Sequence, residues 1–245
     1  MSEACPTRTR IKAVFFDMDD TLFDFTASVR RALLKVKTEY GQVFSDPIDS
    51  LLDEYMRILH ELHGGVITGR QTLADARLER FRRMLAARGL ASDTNLLGPI
   101  ERCYREEYFR RADPVPGALE VVARLAEHVR VAVLTNHVRR DQLAKIDQLG
   151  FSPYLSDLIT ADMIGTTKPD RRMFETALER LNVQPSEAVM VGDSWPFDVL
   201  GACEVGLQAV WFNRTGAECP AGERAAVLLN YRPVEAAVRL LLGFE

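Results

Sequence analysis

The sequence predicts an α/β protein, a doubly wound, Rossmann-like parallel-sheet core with a four-helix unit inserted into it. Three observations carry that prediction. Short apolar runs alternate with helical patterns from residue 113 onward, a further run of the same character stands alone at residues 11–16, and everything between the two reads as helix. The core therefore starts, is interrupted, and resumes. The boundaries that follow are a core of residues 1–23 and 113–245 and an insertion of residues 24–112.

The strand candidates after the first are "VRVAVLTN" from Val129, "LSDLIT" from Leu155, "EAVMVGDS" from Glu187 and "LQAVWFN" from Leu207. Within the insertion, apolar residues recur as Val29, Leu33, Val36, Tyr40, then Leu51, Tyr55, Ile58, Leu62, then Ala74, Leu78, Phe81, Leu85. That spacing puts each set on one helical face, and such faces must pack on each other. Gly41, Asp46-Pro47, Gly64-Gly65 and Gly89 supply turn signals, and Gly98-Pro99 stands close to the start of a last helix that runs to about Arg111. "DPVPG" at residues 113–117 marks the return to the core.

Composition narrows the class. With 47% apolar and 27% charged residues the chain is globular, and 31 basic against 35 acidic residues argue against a partner bound through bulk positive charge, such as a nucleic acid polymer. No stretch approaches the roughly 18 apolar residues of a membrane span. Cys5, Cys103, Cys203 and Cys219 are far apart, so they read as reduced thiols of a cytoplasmic protein and as small buried hydrophobes.

The first strand ends in "DMDDTLFD", which crowds Asp17, Asp19, Asp20 and Asp24 together. Buried like charges raise one another's pKa, so a positive group is expected beside them. In open α/β sheets ligands bind beyond the carboxyl ends of the strands. Those positions carry Asp17 and Asp19, then Thr135-Asn136, then Lys168 before a helix start, then Asp193 and Asp198. Singly, each reads as a turn, a cap or a solvated side chain. Together they place carboxylates, a hydroxyl and one lysine at successive strand ends.

The ordered set "DMDDT", "LTN", "KPD" and "GDSWPFD" resembles the haloacid dehalogenase superfamily, and within it the aspartate-dependent phosphatases of small metabolites. The insertion resembles that superfamily's helical cap. The resemblance implies that Asp17 is the nucleophile, that Asp19 gives and takes protons, and that Lys168 neutralises charge beside Asp17. It implies that Thr135 and Asn136 hold the phosphate. Asp17, the Asp19 carbonyl and Asp193 would bind Mg2+, with Asp198 standing behind these ligands. Magnesium suits such a set of hard oxygen ligands.

The expected function is a Mg-dependent phosphatase working through an aspartyl-phosphate on a small phosphorylated metabolite, as a monomer or homodimer. A phosphomutase is the first alternative, followed by a 2-haloacid dehalogenase, for which the second carboxylate Asp19 is out of place, and a non-catalytic binding module. Arg70 is the candidate cap contact to substrate, in competition with a surface or capping role. "RLERFRRM", residues 77–84, reads as a solvated helix face. Asp20 reads as structural and Asp24 as the start of the cap linker. Phe23, Phe25, His137 and Trp195 stand near the motifs with packing and pocket roles both open.

Overall fold

A computed structural model describes residues 10–90, 94–220 and 225–243, so Cys5 lies outside it. In chain order, β1 (Ala13–Phe16) is followed by α1 (Phe25–Glu39), α2 (Ile48–Ile67), α3 (Leu73–Ala86) and α4 (Thr94–Arg110). Then come α5 (Ala118–Ala126), β2 (Arg130–Thr135), α6 (Arg139–Leu149), β3 (Asp157–Thr160), α7 (Ala161–Ile164) and α8 (Arg171–Leu181). The chain closes with β4 (Ala188–Gly192), α9 (Gly201–Glu204), β5 (Gln208–Phe212), β6 (Ala226–Leu228) and α10 (Val234–Leu242). It divides into two compact units, residues 1–23 with 114–245, and residues 24–113.

In the first unit six parallel strands lie in the order β3-β2-β1-β4-β5-β6. The chain builds outward from β1 in one direction and then from β4 in the other, so the order reverses between them. That is the switch point at which open α/β sheets bind ligands. Every residue of β1 and β4 is buried, which requires cover on both faces and explains why both segments are continuously apolar. Phe16 lies opposite Val133 and Val191, so the chain leaves β1 level with the ends of both neighbours.

The five expected strands are all present, and β6 is an addition. It is three residues long at the sheet edge with Ala226 and Val227 exposed, so it carries no burial pattern for a sequence to display.

The second unit packs α1 against α4 and α2, and α3 against α2 and α4. Its interior is a ring cluster in which Tyr55 lies 5.8 Å from Phe81 and 5.0 Å from Tyr104, and Tyr104 stacks on Tyr108 at 5.8 Å. Three expectations are corrected here. Gly64-Gly65 is not a turn: α2 runs through it to Ile67, and the chain reverses at Thr68 and Gly69. A side chain on Gly65 would strike Gln71, whose amide reaches back to the Leu62 carbonyl at 2.8 Å, so this glycine clears space for its neighbour. As expected, Gly98-Pro99 stands close to the start of the last helix of the unit, α4, which begins at Thr94.

The second correction concerns α3, which buries Ala76, Arg80, Phe81, Met84 and Leu85 and leaves Ala74 exposed. "RLERFRRM" is therefore not a solvated face throughout. Arg80 is buried, donates Nη1–H to the Tyr55 hydroxyl at 2.9 Å, and sits 5.4 Å from the centre of that ring. A cation over an aromatic face is stabilised by the ring quadrupole, which explains how an arginine enters this interior. The third correction concerns the cysteines: Cys103 is half-buried, and Cys203 and Cys219 are exposed. No described helix is long and apolar enough to cross a membrane.

One ion pair ties the sheet to its cover. Arg180 of α8 grips Asp157 at the start of β3 with Nε and Nη2, at 2.6 and 3.1 Å. Burial works against the charge on Asp157, but the Arg180 bonds and the Leu158 amide outweigh it and hold the carboxyl below its ordinary range. A depressed folded pKa gives stability that is present above the unfolded value, near 4, and lost as pH falls through the folded value. Wild type is therefore expected to exceed Asp157→Asn in urea midpoint at pH 7, and the gap to be smaller at pH 3. A gap of the same size at both pH values would refute this.

Candidate active site

The loop after β1 turns back on itself at once. The Leu22 and Phe23 amides both donate to the Met18 carbonyl, at 2.9 and 2.8 Å, and Asp20 takes a positive φ of 61° with its amide on the Phe23 carbonyl. Asp is among the few residues that tolerate this conformation, which supports the structural reading of Asp20. The turn leaves Asp17 at the strand end, its amide bonded to the Val191 carbonyl of β4 at 2.8 Å. Asp24 begins the other unit, where its amide meets the Asp113 carbonyl at 3.0 Å.

Lys168 is the centre of the constellation. It is buried, and its ammonium donates to Asp17 Oδ1 at 2.6 Å, Asp198 Oδ1 at 2.6 Å and the Leu134 carbonyl at 2.7 Å. Three donors meet three acceptors, which is the full capacity of the group. Burial works against its charge, but Asp17 and Asp198 overcome this and hold it well above the ordinary lysine range. The Lys168 backbone is fixed by Asn136, whose side chain accepts from the Lys168 amide at 2.6 Å and donates to its carbonyl at 3.0 Å.

Asp193 follows β4, and its carbonyl accepts the Trp211 indole N–H at 2.8 Å. Trp211 in turn packs against Trp195 with ring centres 5.1 Å apart, so Trp195 is a core residue. The wide turn Trp195–Leu200 then brings Asp198 back, its Oδ2 accepting the Ser194 amide at 3.0 Å. Gly192 makes this return possible, because a Cβ there would occupy the position of the Asp198 carboxylate.

Asp17, Asp193 and Asp198 each offer a carboxylate oxygen within 4.8 Å of the others. Burial pushes the Asp17 carboxyl up to about 7 against the pull of Lys168, with Asp198 and Asp19 adding to the rise. Burial also pushes Asp193 up to about 8, helped by Asp17, Asp198 and Asp20. One lysine does not balance this much negative charge. An all-oxygen cluster with surplus charge fits a hard divalent cation, whose binding would restore both carboxylates to their ionised forms.

Asp19 faces a different environment. Lys145 Nζ lies 2.5 Å from its Oδ1, and the Gln142 amide donates to its Oδ2 at 2.9 Å. Burial opposes the charge on Asp19, yet Lys145, His137 and Gln142 outweigh it and hold the pKa below the usual value. Thr135 is buried beside them, its hydroxyl accepting from Gln142 and from the His137 amide, both at 3.3 Å. His137 turns its Nδ1 to accept the Val138 amide at 2.9 Å, and Phe23 is a buried residue whose ring carries the Lys145 ammonium 4.8 Å from its centre.

Sequence reasoning missed Lys145, Gln142 and Thr21. Thr21 is buried and joins the two acidic loops, its Oγ1 lying 3.3 Å from Asp193 Oδ1 and accepting the Asp193 amide at 3.1 Å. Its only signal was its place inside "DMDDT". In the helical unit Arg70 is exposed and gives its Nε–H to Thr68 Oγ1 at 3.0 Å, and Phe25 packs edge-on against Tyr108 at 6.3 Å.

Residues 11–206 match the family model of haloacid dehalogenase-like hydrolases. The chain belongs to that family. It is similar to ribulose-1,5-bisphosphate 5-phosphatase of Halopiger xanaduensis, with 33% identity over 82% of this chain and 84% of the relative. It is also similar to glyceraldehyde 3-phosphate phosphatase of Methanothermobacter thermautotrophicus, with 29% identity over 83% and 86%. The fold is shared with the magnesium-bound HAD-hydrolase YfnB of Bacillus subtilis, at a TM-score of 0.72 and 21% identity over 94% of this chain and 99% of that one.

The packing of Gly192 makes a sharp prediction for this family member. Gly192→Ala should force Asp198 off Lys168 and lower the unfolding free energy by about 1–3 kcal/mol, the range for an overpacked interior. Urea denaturation measures it. An unchanged midpoint would show that Asp198 does not depend on the bare backbone at 192.

Proposed function

We propose that this hydrolase is a magnesium-dependent phosphatase that acts on a small phosphomonoester through an aspartyl-phosphate. The observation that carries the reading is the environment of Asp17: a carboxylate at the sheet's switch point, bonded to a buried lysine, inside an acidic cluster, two residues from a second aspartate held by its own cation. Relatives that act on glyceraldehyde 3-phosphate and on ribulose 1,5-bisphosphate support the substrate class. Residues 1–23 and 114–245 carry the chemistry on this reading, and residues 24–113 take the part of substrate selection.

Asp17 and Asp193 would hold magnesium together with the Asp19 carbonyl, and Asp198, whose oxygens are engaged by Lys168 and Ser194, would steady that arrangement. When bound, the ion supplies positive charge against the phosphate dianion and the surrounding carboxylates. The Asp17 carboxylate attacks phosphorus, and the bond to the leaving oxygen breaks as Asp19 hands that oxygen a proton. Asp19 rests as a carboxylate, so this proton arrives with the substrate, a phosphomonoester being partly monoanionic near its second pKa of about 6. A water molecule then attacks the phosphorus of the acyl phosphate, Asp19 accepts its proton, and Asp17 is released with inorganic phosphate. Lys168 stays within 2.6 Å of the Asp17 oxygen and offsets charge that builds there. Thr135 and the Asn136 backbone amide would hold the phosphate oxygens.

Phosphate release from a panel of phosphorylated metabolites tests this. Wild type with magnesium should release phosphate, a chelator should stop it, and restored magnesium should recover it. Asp17→Asn should lose more than about 1,000-fold in kcat while melting near wild type, as expected for loss of a nucleophile. A variant that keeps the wild-type rate would end the covalent mechanism.

A further inference from the structure

We infer that Lys145 and Gln142 of α6 are positioning residues that fix the Asp19 carboxylate in the orientation from which it exchanges protons with the substrate. The inference rests on the phosphatase reading and adds to it a device on a separate element.

The first observation is the way α6 lies on the sheet. Its buried positions are Gln142, Lys145, Ile146 and Leu149, one helical face, while the neighbouring Leu143 is 40% exposed. A turn of the helix about its axis would bury that leucine and return the lysine to water. Hydrophobicity favours the turned arrangement, and the observed one gains instead two bonds to Asp19.

The second observation is an unmet need. Gln142 Oε1 is buried and has no donor among the described residues. A leucine of similar size would fill the same space without that cost. What Gln142 contributes is its amide N–H, given to Asp19 Oδ2 and within 3.3 Å of Thr135 Oγ1.

The third observation is completeness. Successive turns of one helix supply a donor to each oxygen of Asp19, so the carboxylate cannot rotate without breaking a bond. Lys145 is itself steadied by the Phe23 ring. A helix is a more exact platform for such a pair than the loop that bears Asp19.

A simple weld between α6 and the loop would raise stability and treat every substrate alike. A device acting through Asp19 would not. Breaking the bond to an alkoxide leaving group requires the Asp19 proton, whereas a nitrophenolate departs without it. Both substrates need Asp19 to take a proton from water while the Asp17–phosphate bond breaks.

The test is Lys145→Met, assayed with p-nitrophenyl phosphate and with the alkyl phosphate that wild type turns over best. The expected result is a loss of about 100-fold in kcat on the alkyl phosphate, the lower end of what acid-base catalysis contributes. On p-nitrophenyl phosphate the first turnover should stay fast and the second stall, giving a burst of one nitrophenolate per protein. The double variant Asp19→Asn/Lys145→Met should be no slower than Asp19→Asn alone, because the lysine acts through the aspartate. Equal losses on both substrates without a burst, or losses that multiply in the double variant, would overturn the proposal. If Lys145→Met does not melt cooperatively, Gln142→Leu carries the same test with the same expected pattern. Active wild type with undiminished variants sinks this inference alone, while wild type inactive on both substrates sinks the phosphatase reading and this with it.

Discussion

The ammonium of Lys168 is the constraint on which the acidic site depends. Its three protons go to Asp17, Asp198 and a carbonyl of β2, so it joins the ends of three segments that are remote in sequence. A buried ammonium with fewer acceptors would cost several kcal/mol, and buried carboxylates without it would cost as much again. Each partner must therefore be delivered to within hydrogen-bond distance. The parallel register sets Asp17 beside the end of β4, the Asn136 side chain holds the lysine's own backbone, and the bare Gly192 lets Asp198 return.

The same arithmetic leaves a surplus. Asp17, Asp193 and Asp198 share one lysine between them, and burial pushes two of these carboxyls up to about 7 and about 8. Selection for stability alone would trim such a cluster. It persists where strand order reverses, which is where an open sheet presents the ends of two neighbouring strands to a ligand. A site carrying more negative charge than its own cation balances is prepared for a second one.

Much of this was legible before any coordinates, because the carriers are strand ends. Continuously apolar runs such as residues 13–16 and 188–191 announce buried parallel strands, and the polar residues that follow them have few structural duties, so Asp17, Thr135 and Asp193 stood out. Legibility failed where orientation, and not composition, decides. Nothing in "RRDQLAKIDQL" says that its glutamine and lysine face inward while Leu143 faces water, since the helix is turned by a contact with Asp19, more than 120 residues away in sequence. Arg80 was misread for the related reason that an aromatic face can take the place of water around a guanidinium. Gly64-Gly65 misled because glycine pairs usually mark turns, and here one of them clears room for Gln71 inside a helix.

Two aspartates separated by a single residue end up in opposite electrostatic states. Asp17 is pushed upward by burial, with Asp198 competing for its lysine, whereas Asp19 takes bonds from both Lys145 and Gln142 and is held down. Loop position cannot account for the contrast, since both residues leave the same strand within three positions. The difference comes from what the neighbouring elements aim at each one: the loop before α8 sends one lysine to Asp17, and α6 sends another to Asp19. In this fold the contrast is built by two lysines from two different elements, so the environment of either carboxylate can be altered without removing the other's lysine.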